Sequence, residues 1–238
     1  MGQKLSPETN QENKADILVI CEVFSQGVVH ASQKLKEYLG FEDPQGKFHP
    51  ATDTLNEIFL VNFIGFSIEK GVEERITTNK MTKQQSLLFG VDWIWTLSGA
   101  DKQIKLQIAV QSLQMAELFC NGDQPHEVIS NSKEAMLADE LFKGKSRFEK
   151  LEEFCTLVGY DCLGLFIIFG LPGKPKDIRG VMLDSIRKEK RKKLSGENML
   201  KQFVLNTDSF LPTKEMLENC LSRKNGLRDV GKVYINFL

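Results

Sequence analysis

The chain has 238 residues, 41% of them apolar and 26% charged, ordinary values for a folded globular protein. Its 31 Lys and Arg are balanced by 32 Asp and Glu for a net charge of −1, which excludes wholesale nucleic-acid binding, since that needs surplus cations to displace counterions. Sixteen Phe exclude a chain disordered throughout.

Residues 1–20 read as a flexible, polar tail without the apolar core of a signal peptide. Within it, Met1-Gly2-Gln3-Lys4-Leu5-Ser6 has the form of an acylation acceptor, with Gly2 as the site. An unmodified tail is the equal alternative. Val28, Ala31, Leu35 and Leu39 then recur at helical steps and predict a helix from Glu22 to Leu39, stopped by Gly40. Turn formers follow at Asp43-Pro44-Gln45-Gly46 and His49-Pro50. A second, nearly all-apolar helix is predicted over Leu55 to Lys70.

Thr82-Lys83-Gln84-Gln85 is a capping box. The helix it opens is predicted to run to Leu97. On that helix Phe89, Trp93 and Leu97 would form one stripe, buried by neighbouring helices or presented to a partner. Ile104, Leu106, Ile108 and Val110 alternate as in a strand, but helix formers among them favour a helix continuing to Phe119. Residues 120–145 lose periodicity and read as a mobile insertion.

Ser146-Arg147-Phe148-Glu149 is a second capping box, opening a helix that Gly159 ends after Val158. Leu163 to Phe169 reads as a central strand, with Ile178 to Leu183 returning beside it. Two helices, 184–205 with a break at Gly196 and 213–224, and a terminal strand over Lys232 to Phe237 complete the chain. The fold expected is mostly α (α+β): a single globular helical domain, 21–238, with a small sheet in its C-terminal half.

No membrane-spanning segment is expected; the best candidates, Leu55 to Ile68 and Leu163 to Leu171, are too polar or too short. Five cysteines without C-x-x-C spacing suggest reduced thiols of a cytoplasmic protein. His30, His49 and His126 have no metal-ligand spacing. Gly170 to Lys174 departs from a phosphate loop in spacing, and Pro175 removes a donor. No catalytic signature and no cofactor is expected. Arg187, Lys188, Lys190, Arg191, Lys192 and Lys193 form a run of six cations around one anion, either a solvated helix face or a contact for an anionic membrane. An acyl chain at Gly2 alone binds a membrane only marginally, so patch and lipid would act together.

Several long words carry a likeness. Lys34-Leu35-Lys36-Glu37-Tyr38-Leu39-Gly40-Phe41, Thr54-Leu55-Asn56-Glu57-Ile58-Phe59-Leu60 and Asp92-Trp93-Ile94-Trp95 are three of them. Asp101-Lys102-Gln103-Ile104-Lys105-Leu106-Gln107, Asp161 to Gly170 and Pro172 to Gly180 are the others. In these words, spread over Glu22 to Phe119 and Ser146 to the C-terminus, the chain resembles the vertebrate Rab-fifteen effector family. The resemblance implies a non-enzymatic effector that binds the GTP-bound form of Rab-type small GTPases. It also implies control of receptor recycling, the transferrin receptor included, by a cytoplasmic protein peripheral on early and recycling endosomes. A peripheral scaffold for anionic lipid, without nucleotide-dependent GTPase recognition, is the alternative reading.

Overall fold

The structure, a computed structural model, describes residues 7–119, 144–171, 173–187, 196–221 and 230–238, with backbone alone for 7–14 and 119. Two helices come first, α1 (Pro7–Leu35) and α2 (Thr52–Glu69), followed by β1 (Ile76–Lys80) and the short α3 (Lys83–Phe89). Strands β2 (Trp93–Ser98) and β3 (Ile104–Gln114) lead to α4 (Met115–Phe119). Then come α5 (Arg147–Val158) and the pair β4 (Cys162–Leu171) and β5 (Lys174–Met182). Helices α6 (Leu183–Arg187) and α7 (Gly196–Asn206), β6 (Phe210–Pro212), α8 (Thr213–Leu221) and β7 (Tyr234–Asn236) finish the chain.

The described strands make one seven-stranded mixed sheet in the order β1-β2-β3-β4-β5-β7-β6. Pairs β3/β4 and β6/β7 are parallel and the other neighbours antiparallel. Helices cover both faces. On one, Phe24, Val28 and Leu35 of α1, Phe59 and Phe63 of α2 and Met216 and Leu217 of α8 bury Trp93, Trp95, Ile108 and Leu165. On the other, Phe148 and Leu151 of α5, Ile186 of α6 and Phe203 of α7 bury Ala109, Phe166 and Ile168. Strand β4 lies between them, which explains why its sequence is apolar at every position rather than alternating. Gly27 lets α1 lie close to α2: a Cβ there would come within 3.1 Å of the Phe63 ring.

The expected mostly-α domain with a small C-terminal sheet is therefore wrong. The protein is an α+β fold whose mixed sheet also takes in the N-terminal half. Two predicted helices account for the difference. The capping box at Thr82 forms, with Gln85 N–H donating to Thr82 Oγ1 at 3.2 Å and Thr82 N–H to Gln85 Oε1 at 3.0 Å. Its helix ends after only seven residues, at Gly90 with φ 65°. A Cβ at Gly90 would lie 2.4 Å from the Arg147 carbonyl, so glycine there both stops α3 and admits the start of α5. Trp93 to Ser98 then forms a strand between β1 and β3, in register Thr78↔Trp95↔Ile108. Ile104 to Gln114 is also a strand, hydrogen-bonded on both sides. Pairing with two neighbours and burial on two faces override the helix preference of its Gln and Ala residues.

Other expectations agree with the structure. The Ser146 box caps α5, and β4 and β5 pair antiparallel as read. Helix α1 is longer than expected, and its stretch Ala15–Leu35, of mean hydropathy 1.3, is long and apolar enough to cross a membrane by length and composition. The sequence reading did not single it out. In the fold its apolar face (Ile20, Cys21, Phe24, Val28, Ala31 and Leu35) is part of the core. The expected insertion at 120–145 lies outside the described residues except for Gly144 and Lys145.

Candidate partner-binding surface

The proposed stripe of Phe89, Trp93 and Leu97 does not exist as a surface. It presupposed one helix, whereas Trp93 and Leu97 sit on β2, four residues apart and so on the same sheet face. Trp93 is 0% exposed, its ring 6.0 Å from that of Phe59 and 5.4 Å from that of Trp95. Phe89, at the end of α3, packs half-buried against Phe154 on the opposite face, ring centroids 5.5 Å apart. The sheet separates Phe89 from the other two.

Of the basic run only Arg187 is described. Its guanidinium donates to Glu152 at 2.8 Å and to Asp184 at 3.3 Å, so it is tied to α5 and to its own helix. Gly2 and Lys188, Lys190, Arg191, Lys192 and Lys193 lie outside the described residues.

A different group of side chains is displayed. After α1 the chain turns at Gly40, φ 72°, and passes through the Asp43-Pro44-Gln45-Gly46 turn before α2 begins. The Asp43 carboxylate accepts from the backbone N–H groups of Gln45 at 3.1 Å, Lys47 at 2.8 Å and Phe48 at 3.0 Å. These bonds, with that from Gln45 contributing most, hold its pKa below the ordinary aspartate value. The loop is thereby fixed in a tight turn rather than left open. It brings Phe41 and Phe48 edge to face at 6.0 Å, yet leaves them 49% and 58% exposed, with Tyr38 beside them also 49% exposed.

Tyr38 and Phe41 rim a cleft of about 230 Å³ at the carboxyl ends of the parallel strands β3 and β4. Leu39, Leu55, Met115, Phe169, Leu171 and Pro175 make its walls apolar, and His49 and Gln114 supply polar edges. Gln114 Nε2 donates to the Pro50 carbonyl at 2.9 Å and to Thr52 Oγ1 at 3.2 Å, and Thr52 Oγ1 donates to Glu117 at 2.6 Å. Those bonds fasten the end of the aromatic loop to β3 and α4. His49 and Tyr38 are the only titratable side chains on its described lining, so what the cleft offers is an apolar seat with a polar margin, the make-up of a recognition surface.

The sequence reading missed this group. The available signal was two phenylalanines flanking a dense turn motif, a place where large apolar side chains have no secondary-structure face on which to hide. Among the described residues no group of three or more His, Cys, Asp or Glu could hold a metal ion. The buried thiols are unreactive in character: burial pushes Cys21 and Cys220 up to about 12. A hydrogen bond with Cys162, together with burial, raises Cys155 as well.

A further polar centre is structural. Asp92, mostly buried, accepts from the Ser112 N–H at 2.7 Å, Ser112 Oγ at 2.8 Å, Ser86 Oγ at 2.5 Å and Arg147 at 2.8 Å. One carboxylate thus joins α3, β2, β3 and α5.

Comparison with known proteins gives these surfaces a family. A curated mouse protein named Rab15 effector protein is 50% identical over 239 aligned residues, covering all of this chain and all of the relative. The Rab15 effector family profile matches residues 5–237, and so also takes in residues 5–21 and 120–145, outside the span of the resemblance. With the family pattern and a full-length relative in agreement, this chain belongs to the Rab15 effector family.

Proposed function

We propose that this protein is a non-catalytic effector that binds a Rab-type GTPase in its GTP-bound form. Through that contact it regulates recycling of receptors such as the transferrin receptor from the endocytic recycling compartment. Support comes first from the family and from the name of the mouse relative. The structural observation that carries the reading is the set of displayed rings Tyr38, Phe41 and Phe48 at an apolar cleft, with Phe48 held by the Asp43 turn against Phe41. Large aromatic side chains are enriched at interface hot spots, and a turn fixed before binding lowers the ordering cost of docking. GTPase switch segments are ordered by the terminal phosphate, so a fixed apolar surface fits one nucleotide state and not the other.

The protein would then reside on early and recycling endosomes, recruited by its GTPase. An acyl chain at Gly2 and the basic run 187–193 would add a second, weaker hold on the membrane; flotation with liposomes, with and without acylation and at high salt, tests that addition.

The decisive test is calorimetry with Rab15 loaded with a non-hydrolysable GTP analogue or with GDP. Heat of binding is expected for the analogue alone. Phe41→Ala and Tyr38→Ala should each weaken binding by roughly 10- to 30-fold without lowering the unfolding temperature, the behaviour of an interface anchor. Equal heats in both nucleotide states would overturn the reading.

A further inference from the structure

Strand β1 ends the sheet, and its outer edge has no strand partner among the described residues. The direction of its backbone groups follows from the bonds at its two ends. Ser98 N–H donates to the Arg75 carbonyl at 2.8 Å and Met81 N–H to the Asp92 carbonyl at 2.9 Å. Residues 75, 77, 79 and 81 therefore point their peptide groups at β2, and Ile76, Thr78 and Lys80 point theirs outward. The Ile76 N–H is taken by the Val72 carbonyl at 2.8 Å. What faces outward is both groups of Thr78, both of Lys80 and the carbonyl of Ile76.

Beside this edge lies an apolar ledge. Glu57, Val61, Ile64 and Ile68 fall on one flank of α2 at steps of four, three and four residues. Glu57 pairs with Lys80, which places that flank over the β1 edge. Val61 is 70% exposed and Ile68 57%, with Ile64 also exposed. Edge strands are usually guarded by a charge standing over the open backbone. Here the charged side chain of β1, Lys80, is folded back onto Glu57 and leaves the edge approachable.

We infer that the β1 edge and the α2 ledge together form a self-association surface, on which a second copy of this chain adds its own β1 antiparallel about a two-fold axis at Thr78. Three features are self-complementary. First, Thr78 would exchange both backbone bonds with its symmetry mate, and each Lys80 N–H would donate to the Ile76 carbonyl opposite. Second, the two Thr78 residues would stand directly opposite each other in this register, a β-branched cross-strand pair that suits a sheet. Third, the two ends of the strand carry opposite charge. Exposed Glu73 precedes it and exposed Lys83 follows it, so antiparallel pairing about Thr78 sets Glu73 of each copy opposite Lys83 of the other. The ledge of each copy would then meet that of its partner above the joined sheets.

Sedimentation velocity of the full chain between about 1 and 200 μM tests the proposal, with amide exchange as the second readout. A monomer–dimer equilibrium is expected, with the Thr78 and Lys80 amides slowing as concentration rises. Thr78→Pro removes a donor at an outward-facing edge position, which a sheet tolerates, and Ile68→Asp charges the ledge. Each should weaken the dimer by at least about tenfold and restore fast exchange of the Lys80 amide. A monomer across the whole range, or a dimer whose constant is unchanged in both variants, would overturn the inference. Should Thr78→Pro fail to fold, Ile68→Asp and the wild-type exchange data decide it alone.

Discussion

Replacing Trp93 by alanine separates a core aromatic from an interface aromatic. The side chain is fully buried and makes two ring contacts, with Phe59 and with Trp95. Truncating such a residue costs about 3–5 kcal/mol, and the ring pairs place this site toward the upper end. For a chain of this length each kcal/mol lowers the midpoint by about 2–4 °C, so a fall of roughly 6–20 °C is expected. A control sharpens the argument. The indole Nε1 of Trp93 has no hydrogen-bond partner, so Trp93→Phe forfeits no bond and only part of the volume. Its cost should stay near 1–2 kcal/mol. Thermal unfolding followed by near-ultraviolet circular dichroism reads the midpoint shift, and denaturant unfolding the free-energy loss, for both variants. A Trp93→Ala protein that kept its midpoint while losing its partner would refute the placement of this side chain in the core.

Asp92→Ala strands the buried N–H and hydroxyl of Ser112 and should cost about 2–4 kcal/mol in chemical denaturation; a loss below about 0.5 kcal/mol would show the junction to be ornamental. The pKa of Asp43 is depressed, so its hold on the loop is present above the ordinary aspartate value of 3.8 and is lost as pH falls through the lower folded value. Exchange of the Gln45, Lys47 and Phe48 amides, corrected for intrinsic rate, should rise only in that acid range. Cys21 and Cys220, with pKa values near 12, and the likewise buried Cys155 and Cys162 should resist a thiol reagent at pH 8 and react on unfolding; labelling of these four in the native protein would contradict their burial.

What could be read from sequence was what short-range chemistry decides. Both capping boxes form, because each needs only residues three apart. The β4/β5 hairpin was legible because an apolar run too short for a helix meets a turn-rich connection. Where each element stops is another matter. Gly90 ends α3 after seven residues, but nothing local distinguishes a helix-ending glycine from one tolerated inside a helix; here the nearby Arg147 carbonyl, 57 positions along the chain, makes the difference. Strand β3 shows the same limit. Its alternation of Leu106, Ile108 and Val110 was visible and correct, and was outweighed by helix-forming neighbours whose preferences are overcome by pairing with β2 and β4.

The proposed site illustrates why aromatic content is a poor guide to exposure. Phe24, Phe59, Phe63, Phe148, Phe166, Phe169, Phe203 and Phe237 are all buried, and the tryptophans with them. Each lies on a helix or strand, or next to one, and so has a neighbouring layer to enter. Phe41 and Phe48 lie instead on either side of a turn whose backbone is bound to Asp43. A turn closed on its own carboxylate has neither the length nor the regular face to fold its flanking rings into the core, so they remain half in water. On the proposed reading, the physical cue to the recognition surface is an aromatic pair held apart from regular structure by local polar bonds. That cue is written in 41–48 of this chain, and the Trp93 region, richer in aromatic surface, lacks it.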